Sequence, residues 1–411
     1  MPTAYLTEGL IPMSLGHYPF VPAKYNGKIW MVNMSGSGAV LIGNLTDKTA
    51  VNITDTQDPD ALGWASRLID WKQKTNSTVI MRCIHARSGT LVIDRIEADL
   101  SALTATRTEE STISLAWLNQ GEEIAHGIVI PPRLAVLPEW DETANLHYID
   151  LETGDDSYWD TGFGTYEPRA SQKYVVKNDD IYMLFGRHLA GDVHRYLKMF
   201  SHQLVELESS GGGSPRCQVG GVSWFYDDLL FPATSGGVVG VDNDIFIYDD
   251  DFTKLGTIDL AGITGWSSND AICGFNIYAK KTDGGYYMLL GVTNAKIDAT
   301  ALYRLYHVEL NNTFGVVTSS LFFERDWKDI GQNLNGDYTD WCNVPIIDIN
   351  AKKMYISGIY YDISEATNWD FVVEVDISDV WDNIAELNKS MWYLGAVVKI
   401  PTILTLQVTP L

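Results

Sequence analysis

A short phrase recurs seven times along this 411-residue sequence: an apolar run ends at a polar residue, and a turn follows. The polar residue at the centre of each copy is, in order, Asn44, Glu97, Asp150, Ser201, Asp249, Glu309 and Asp376. Successive centres are 53, 53, 51, 48, 60 and 67 residues apart. Repetition at this spacing, carried by short β-type runs, predicts one small antiparallel sheet per repeat.

The composition and the turn chemistry also favour strands. Aromatic residues make up 11% of the chain, which suits the half-buried surfaces of sheets. The segment Asp283-Gly284-Gly285 precedes the apolar run 286–290, and this is a strong hairpin signal. Long amphipathic helical patterns are nearly absent, so we expect an all-β chain.

The repeat pattern resembles the seven-bladed β-propeller class across residues 27–411, which implies one four-stranded blade per repeat. The first repeat contains three predicted strands, and residues 403–408 form one predicted strand beyond the seventh repeat. We therefore predict an all-β, seven-bladed β-propeller closed by a C-terminal strand that completes the first blade. Residues 1–26 contain four prolines and are expected to form an extended N-terminal arm outside the propeller.

The repeats do not match a single propeller family. WD-repeat proteins carry Trp-Asp at a strand end in each repeat, whereas Trp140-Asp141 and Trp369-Asp370 do not share one phase here. Kelch proteins carry a Gly-Gly pair per repeat, and this chain has too few such pairs. The resemblance therefore implies a fold and transfers no site residues.

The formal net charge of −24 limits the classes of partner. An acidic surface repels phosphate backbones, so we expect no nucleic-acid partner. No run of 18 apolar residues occurs, so we expect no membrane insertion. The N-terminal residues show no secretory signal pattern, and we expect a place on a virion or an extracellular surface, with the cytoplasm as the alternative.

Two carboxylates are candidate catalytic groups. Asp270 and Asp340 each stand just before a predicted inner strand, where propeller strands surround a central channel. Two carboxyl groups in one cleft are what glycoside hydrolysis requires. An Asp before a strand also caps a turn through backbone hydrogen bonds, and this structural role is the alternative.

Other residues are candidates for binding. Trp266 and Trp341 lie beside predicted loops and could stack on a sugar, although Trp residues in propellers also pack between blades. Asp242, Asp244 and Asp249 could ligate Ca²⁺, the one cofactor considered, although their spacing does not match a calcium loop and suits two turns.

These observations favour a non-enzymatic structural or binding propeller. We expect a virion component, such as a spike, capsid decoration or tail protein, that acts in assembly or host-surface attachment. Its expected partners are protein subunits of a larger assembly, together with a cell-surface glycan as a further candidate. The alternative is a carbohydrate-active enzyme, a glycoside hydrolase that uses carboxylates facing the channel.

Overall fold

Antiparallel strands dominate the computed structural model. The structure describes residues 4–6, 11–12, 20–47, 49–63, 65–125, 127–139, 145–160, 168–177, 180–187, 195–198, 203–206, 223–232, 245–267, 270–293, 302–326, 346–362, 367–388 and 392–394. The α-helices within these ranges are two single turns, α1 (Glu122–Ala125) and α2 (Ser378–Trp381). No helix in the described ranges is long and apolar enough to cross a membrane. The predicted all-β class is confirmed.

Strands in the first half of the chain form two short N-terminal elements and three blades. The N-terminal elements are β1 (Ala4–Leu6) and β2 (Ile11–Pro12). Blade 1 consists of β3 (Phe20–Tyr25), β4 (Lys28–Met34), β5 (Val40–Asn44) and β6 (Thr49–Ile53). Blade 2 consists of β7 (Ser66–Gln73), β8 (Thr78–Arg87), β9 (Thr90–Asp99) and β10 (Thr104–Ser114). Blade 3 consists of β11 (Ile128–Ile130), β12 (Leu134–Pro138), β13 (Asn145–Asp150) and β14 (Asp156–Asp160).

Three more blades follow the same pattern of four consecutive strands. Blade 4 consists of β15 (Pro168–Lys177), β16 (Asp180–Arg187), β17 (Arg195–Lys198) and β18 (Gln203–Glu206). Blade 5 consists of β19 (Ser223–Tyr226), β20 (Leu229–Pro232), β21 (Ile245–Tyr248) and β22 (Lys254–Ile258). Blade 6 consists of β23 (Ala271–Lys281), β24 (Tyr286–Thr293), β25 (Leu302–Leu310) and β26 (Val316–Asp326).

The last sheet is a composite built from both ends of the chain. Its own strands are β27 (Ile346–Asp348), β28 (Lys353–Asp362) and β29 (Thr367–Asp376). On one side β1 and β2 pair with β29, and on the other side β31 (Trp392–Leu394) pairs in parallel with β27. The remaining strand, β30 (Ile384–Leu387), pairs with β23 and so adds a fifth strand to blade 6.

The first strands of blades 2 to 6 lie next to one another in order, as they do around the channel of a propeller. Contacts join β7 to β11, β11 to β15, β15 to β19 and β19 to β23. At the junction of the chain ends, β31 contacts β3 of blade 1. This arrangement confirms the predicted propeller class.

Blade 2 buries both faces because it packs between two neighbours. On β8, Val79 and Met81 belong to a core cluster shared with blade 1. Ile84 points to the opposite face and belongs to a second cluster that reaches blade 3. A strand buried on both faces needs a nearly continuous apolar run, which explains the sequence of β8.

Two parts of the sequence-based architecture need correction. Six blades consist of four consecutive strands, not the predicted seven, and the seventh sheet is the composite. Blade 1 already has four strands because Phe20–Tyr25 pairs with β4, so it needs no C-terminal strand to complete it. Residues 20–25, which the sequence assigned to an N-terminal arm over residues 1–26, are thus the first strand of blade 1. The predicted strand 403–408 lies outside the described residues.

Candidate functional site

A cavity of about 540 Å³ lies beside blade 6, a volume within the usual range for ligand sites. One wall comes from the strands of blade 6 and the turn between β23 and β24, and the other comes from α2 and Asn383, two residues beyond it. The lining residues are Lys281, Thr282, Asp283, Tyr287, His307, Glu309, Thr318, Ser319, Ser320, Asp379, Val380 and Asn383.

The strand register places the polar side chains of blade 6 on one face. His307 and Glu309 are two residues apart on β25, so they point the same way. Tyr287 on β24 lies opposite Glu309. On β26, Thr318 lies opposite Glu309 and Ser320 lies opposite His307. Three adjacent strands therefore present one polar surface to the cavity.

Among the described lining residues Lys281 is the only lysine or arginine, and its side chain is only 7% exposed. Its Nζ pairs with a carboxylate oxygen of Glu309 and lies 2.9 Å from Asp283 Oδ2. Burial alone would lower the pKa of Lys281, but its hydrogen bonds to Glu309 and Asp283 outweigh burial and raise that pKa. The ammonium group stays charged and holds both carboxylates in place.

His307 forms an uncharged part of the cavity wall. Its Nε2 lies 2.7 Å from the hydroxyl of the buried Tyr278. Burial lowers the pKa of His307 to about 4, with a smaller opposing contribution from Glu309. At neutral pH the lining thus carries one ammonium group and the carboxylates of Asp283, Glu309 and Asp379. The described part of the lining is therefore acidic.

Asp270 lies just before β23 and is almost completely buried, with 1% exposure. One carboxylate oxygen pairs with the Arg304 guanidinium, and the other accepts a hydrogen bond from the Ser267 N–H at 2.8 Å. Burial raises the pKa of Asp270, although the contacts with Ser267 and Arg304 oppose the shift. Its proposed catalytic partner Asp340 lies outside the described residues.

The structure describes two of the remaining binding candidates, Trp266 and Asp249. Trp266 is half-buried and packs against the core cluster that joins blades 5 and 6 to the last sheet. Asp249 accepts hydrogen bonds from the N–H groups of Asp251 at 3.0 Å and Thr253 at 2.8 Å, as a turn-capping Asp does. Trp341, Asp242 and Asp244 lie outside the described residues. Within the described ranges, no group of three potential ligands is arranged to hold a metal ion.

Sequence reasoning missed a buried ionic network at the junction of blades 1 and 2. Asp58, in the loop between the blades, lies 2.9 Å from His85 Nε2 and accepts hydrogen bonds from Arg87 and Arg107 at 2.7 Å. Asp94 Oδ2 lies 3.0 Å from His85 Nδ1 and 2.7 Å from Arg107 Nε. Burial alone would raise the pKa of Asp58, but these hydrogen bonds hold it well below its usual range. The network anchors the loop that connects the two blades to three strands of blade 2.

Comparisons with known proteins identify no family for this chain. No family model matches the sequence, and no curated protein matches it. The chain is similar to the WD40 domain of SCAP from fission yeast, with 9% identity, a TM-score of 0.39, and coverage of 91% of this chain and 87% of that one. It is similar to Kluyveromyces lactis Hsv2, with 10% identity, a TM-score of 0.41, and coverage of 86% and 97%. These similarities are too low to transfer a function.

Proposed function

We propose that this chain is a non-enzymatic binding propeller that recognises a cationic group of a protein partner in the cavity beside blade 6. The observation that carries the proposal is the charge of a preformed cavity, in which three carboxylates accompany one ammonium group. Hydroxyl groups of Thr318 and Ser320, on the cavity face of β26, supply further hydrogen-bond acceptors. A lysine or arginine side chain complements such a lining.

The surroundings of Asp270 favour binding over glycoside hydrolysis. A catalytic carboxyl group has to reach the glycosidic oxygen or the anomeric carbon of the substrate. The carboxylate of Asp270 is instead buried and bonded to Arg304 and Ser267. A place in a virus particle, contact with a cell-surface glycan and binding of Ca²⁺ stay predictions from the sequence.

Calorimetric titration with a short peptide tests the proposal. The probe is the capped pentapeptide acetyl-Thr-Val-Lys-Val-Thr-amide, and its control replaces lysine by norleucine, which keeps the length and removes the charge. We expect the lysine peptide to bind the full chain at least threefold more tightly. Equal affinity of the two peptides, or no binding of either, would contradict the proposal.

A pair of variants on the second wall of the cavity locates the binding site. Asp379 lies on α2 and lines the cavity, whereas Asp382 is exposed in the same turn and does not. Asp379→Asn should weaken lysine-peptide binding about fivefold, the effect of one partly exposed ion pair. Asp382→Asn changes the net charge equally and should leave the affinity unchanged. Equal effects of the two substitutions would indicate non-specific attraction to an acidic surface.

A further inference from the structure

The outer strand of blade 6 has the properties of a strand that accepts another strand. The strand β26 is eleven residues long and pairs with β25 along one edge. Its other edge has no partner strand in the part of the chain that the structure describes. Two of its apolar side chains are exposed, Val317 at 52% and Leu321 at 44%.

The outer strand of blade 2 shows what a protected edge looks like in the same molecule. The strand β10 is also eleven residues long and terminates its sheet, but it carries Arg107, Glu109 and Glu110. Charged side chains on an edge strand prevent further strand pairing. Residues 316–321 of β26 contain no charged side chain, and the charged residues of this strand, Glu324, Arg325 and Asp326, stand at its C-terminal end. The first half of β26 is therefore the more receptive edge.

The cavity extends to this edge of β26. Side chains of successive strand residues point to opposite faces, so a cavity on one face alone would be lined by alternate residues. Thr318, Ser319 and Ser320 are consecutive, and all three line the cavity. A chain running along the outer edge of β26 would therefore pass directly beside the acidic lining.

We propose that an extended basic segment of a protein partner pairs with the outer edge of β26 and places a lysine or arginine side chain in the cavity. Addition of a strand to an exposed sheet edge is an established mode of peptide recognition, in which alternate side chains provide specificity. The inference rests on the proposed function and adds the conformation of the bound segment.

The register of β26 defines the pattern expected in the partner. A side chain opposite Thr318 or Ser320 lies on the cavity face and should be basic. The side chains before and after it lie on the opposite face, near the exposed Leu321, and should be apolar. The partner segment is thus expected to read apolar–basic–apolar, as the central residues of the pentapeptide probe do.

Amide hydrogen exchange on the full chain tests the bound conformation. The probes are the lysine pentapeptide and an analogue that is N-methylated at its valine and lysine nitrogens, which keeps the side chains and removes the N–H donors of a pairing strand. We expect the unmethylated peptide to slow exchange at least tenfold at those amides of residues 317–321 that are not bonded to β25. The methylated peptide should produce no such protection.

The outcomes separate this inference from the proposed function. Charge-dependent peptide binding that Asp379→Asn weakens, without protection of residues 317–321, would overturn strand addition and leave the cavity as the binding site. Absence of charge-dependent binding would overturn both proposals. Protection elsewhere on the propeller, with none on β26, would also overturn strand addition.

Discussion

Glu309 accepts a hydrogen bond from the Thr318 hydroxyl at 3.2 Å, and this contact connects the charged part of the cavity with the outer strand of blade 6. Glu309 also pairs with the buried Lys281. The chain of contacts from Lys281 through Glu309 to Thr318 crosses blade 6 from its first strand to its last. These contacts hold the blade 6 wall of the cavity in place, which lowers the entropic cost of recognition.

Replacing Lys281 by methionine should destabilise the protein, because Glu309 and Asp283 would lose their shared cation. Glu309 is partly exposed, so we expect a loss of about 1–2 kcal/mol in the free energy of unfolding rather than the larger cost of a fully buried pair. Urea denaturation measures the change. Asp283→Asn is the control, since this exposed residue leaves the Lys281–Glu309 pair intact. Equal effects of the two substitutions would contradict the central role of Lys281.

His307 should make stability depend on pH in mildly acidic solution. Its pKa is about 4 in the folded protein, against about 6.5 for an unfolded chain. Between these values the unfolded state binds the proton and the folded state does not, so stability falls as the pH falls. As the pH falls from about 6.5 to about 4, the free energy of unfolding of the wild type should fall by up to about 3 kcal/mol more than that of His307→Gln. Parallel stability profiles of the two proteins between pH 7 and pH 4 would contradict this assignment.

Asp270→Asn distinguishes a structural carboxylate from a catalytic one. The substitution would leave the buried Arg304 without its anion, and we expect a loss of about 3 kcal/mol in the free energy of unfolding. The double variant Asp270→Asn/Arg304→Met should recover part of this loss, because it removes both charges. Unchanged stability together with loss of glycan hydrolysis would support the glycoside hydrolase hypothesis instead.

Asp58→Asn should weaken the junction of blades 1 and 2. Three basic side chains would lose their shared carboxylate, and we expect a loss of at least about 3 kcal/mol near neutral pH. The pKa of Asp58 is depressed in the folded state, so its stabilisation is present above about pH 4 and is lost as the pH falls further. Asp60→Asn is the matched control, because Asp60 is exposed two residues away. A similar loss for both variants would contradict the role of the network.

The sequence predicted the propeller because its signal is repeated. Each blade needs the same alternation of short strands and turns, and seven copies of one phrase are hard to produce by chance. The role of residues 20–25 could not be predicted, because Pro22 normally argues against a central strand. In the structure β3 is the first strand of blade 1, an edge position where a missing N–H is tolerated. Proline thus led the prediction towards an arm.

The candidate site was harder to predict because its two walls are distant in sequence. Lys281 and His307 come from blade 6, while Asp379 belongs to the short helix after β29. No local motif connects these residues. In the sequence, Glu309 stands out only as the polar residue that ends one of the seven repeated apolar runs. The network around Asp58 is similarly assembled from a loop and three strands. Such sites form when separate elements of the chain pack together, and the period of the sequence repeat does not predict which side chains then come into contact.

A double-mutant cycle between Asp379 and the lysine of the pentapeptide tests the central claim most directly. The four affinities combine wild type or Asp379→Asn with the lysine or the norleucine peptide. A direct contact predicts a coupling free energy of about 1 kcal/mol, with the norleucine peptide insensitive to the substitution. Additive effects within about 0.3 kcal/mol would show that the lysine does not enter the cavity and would contradict the account.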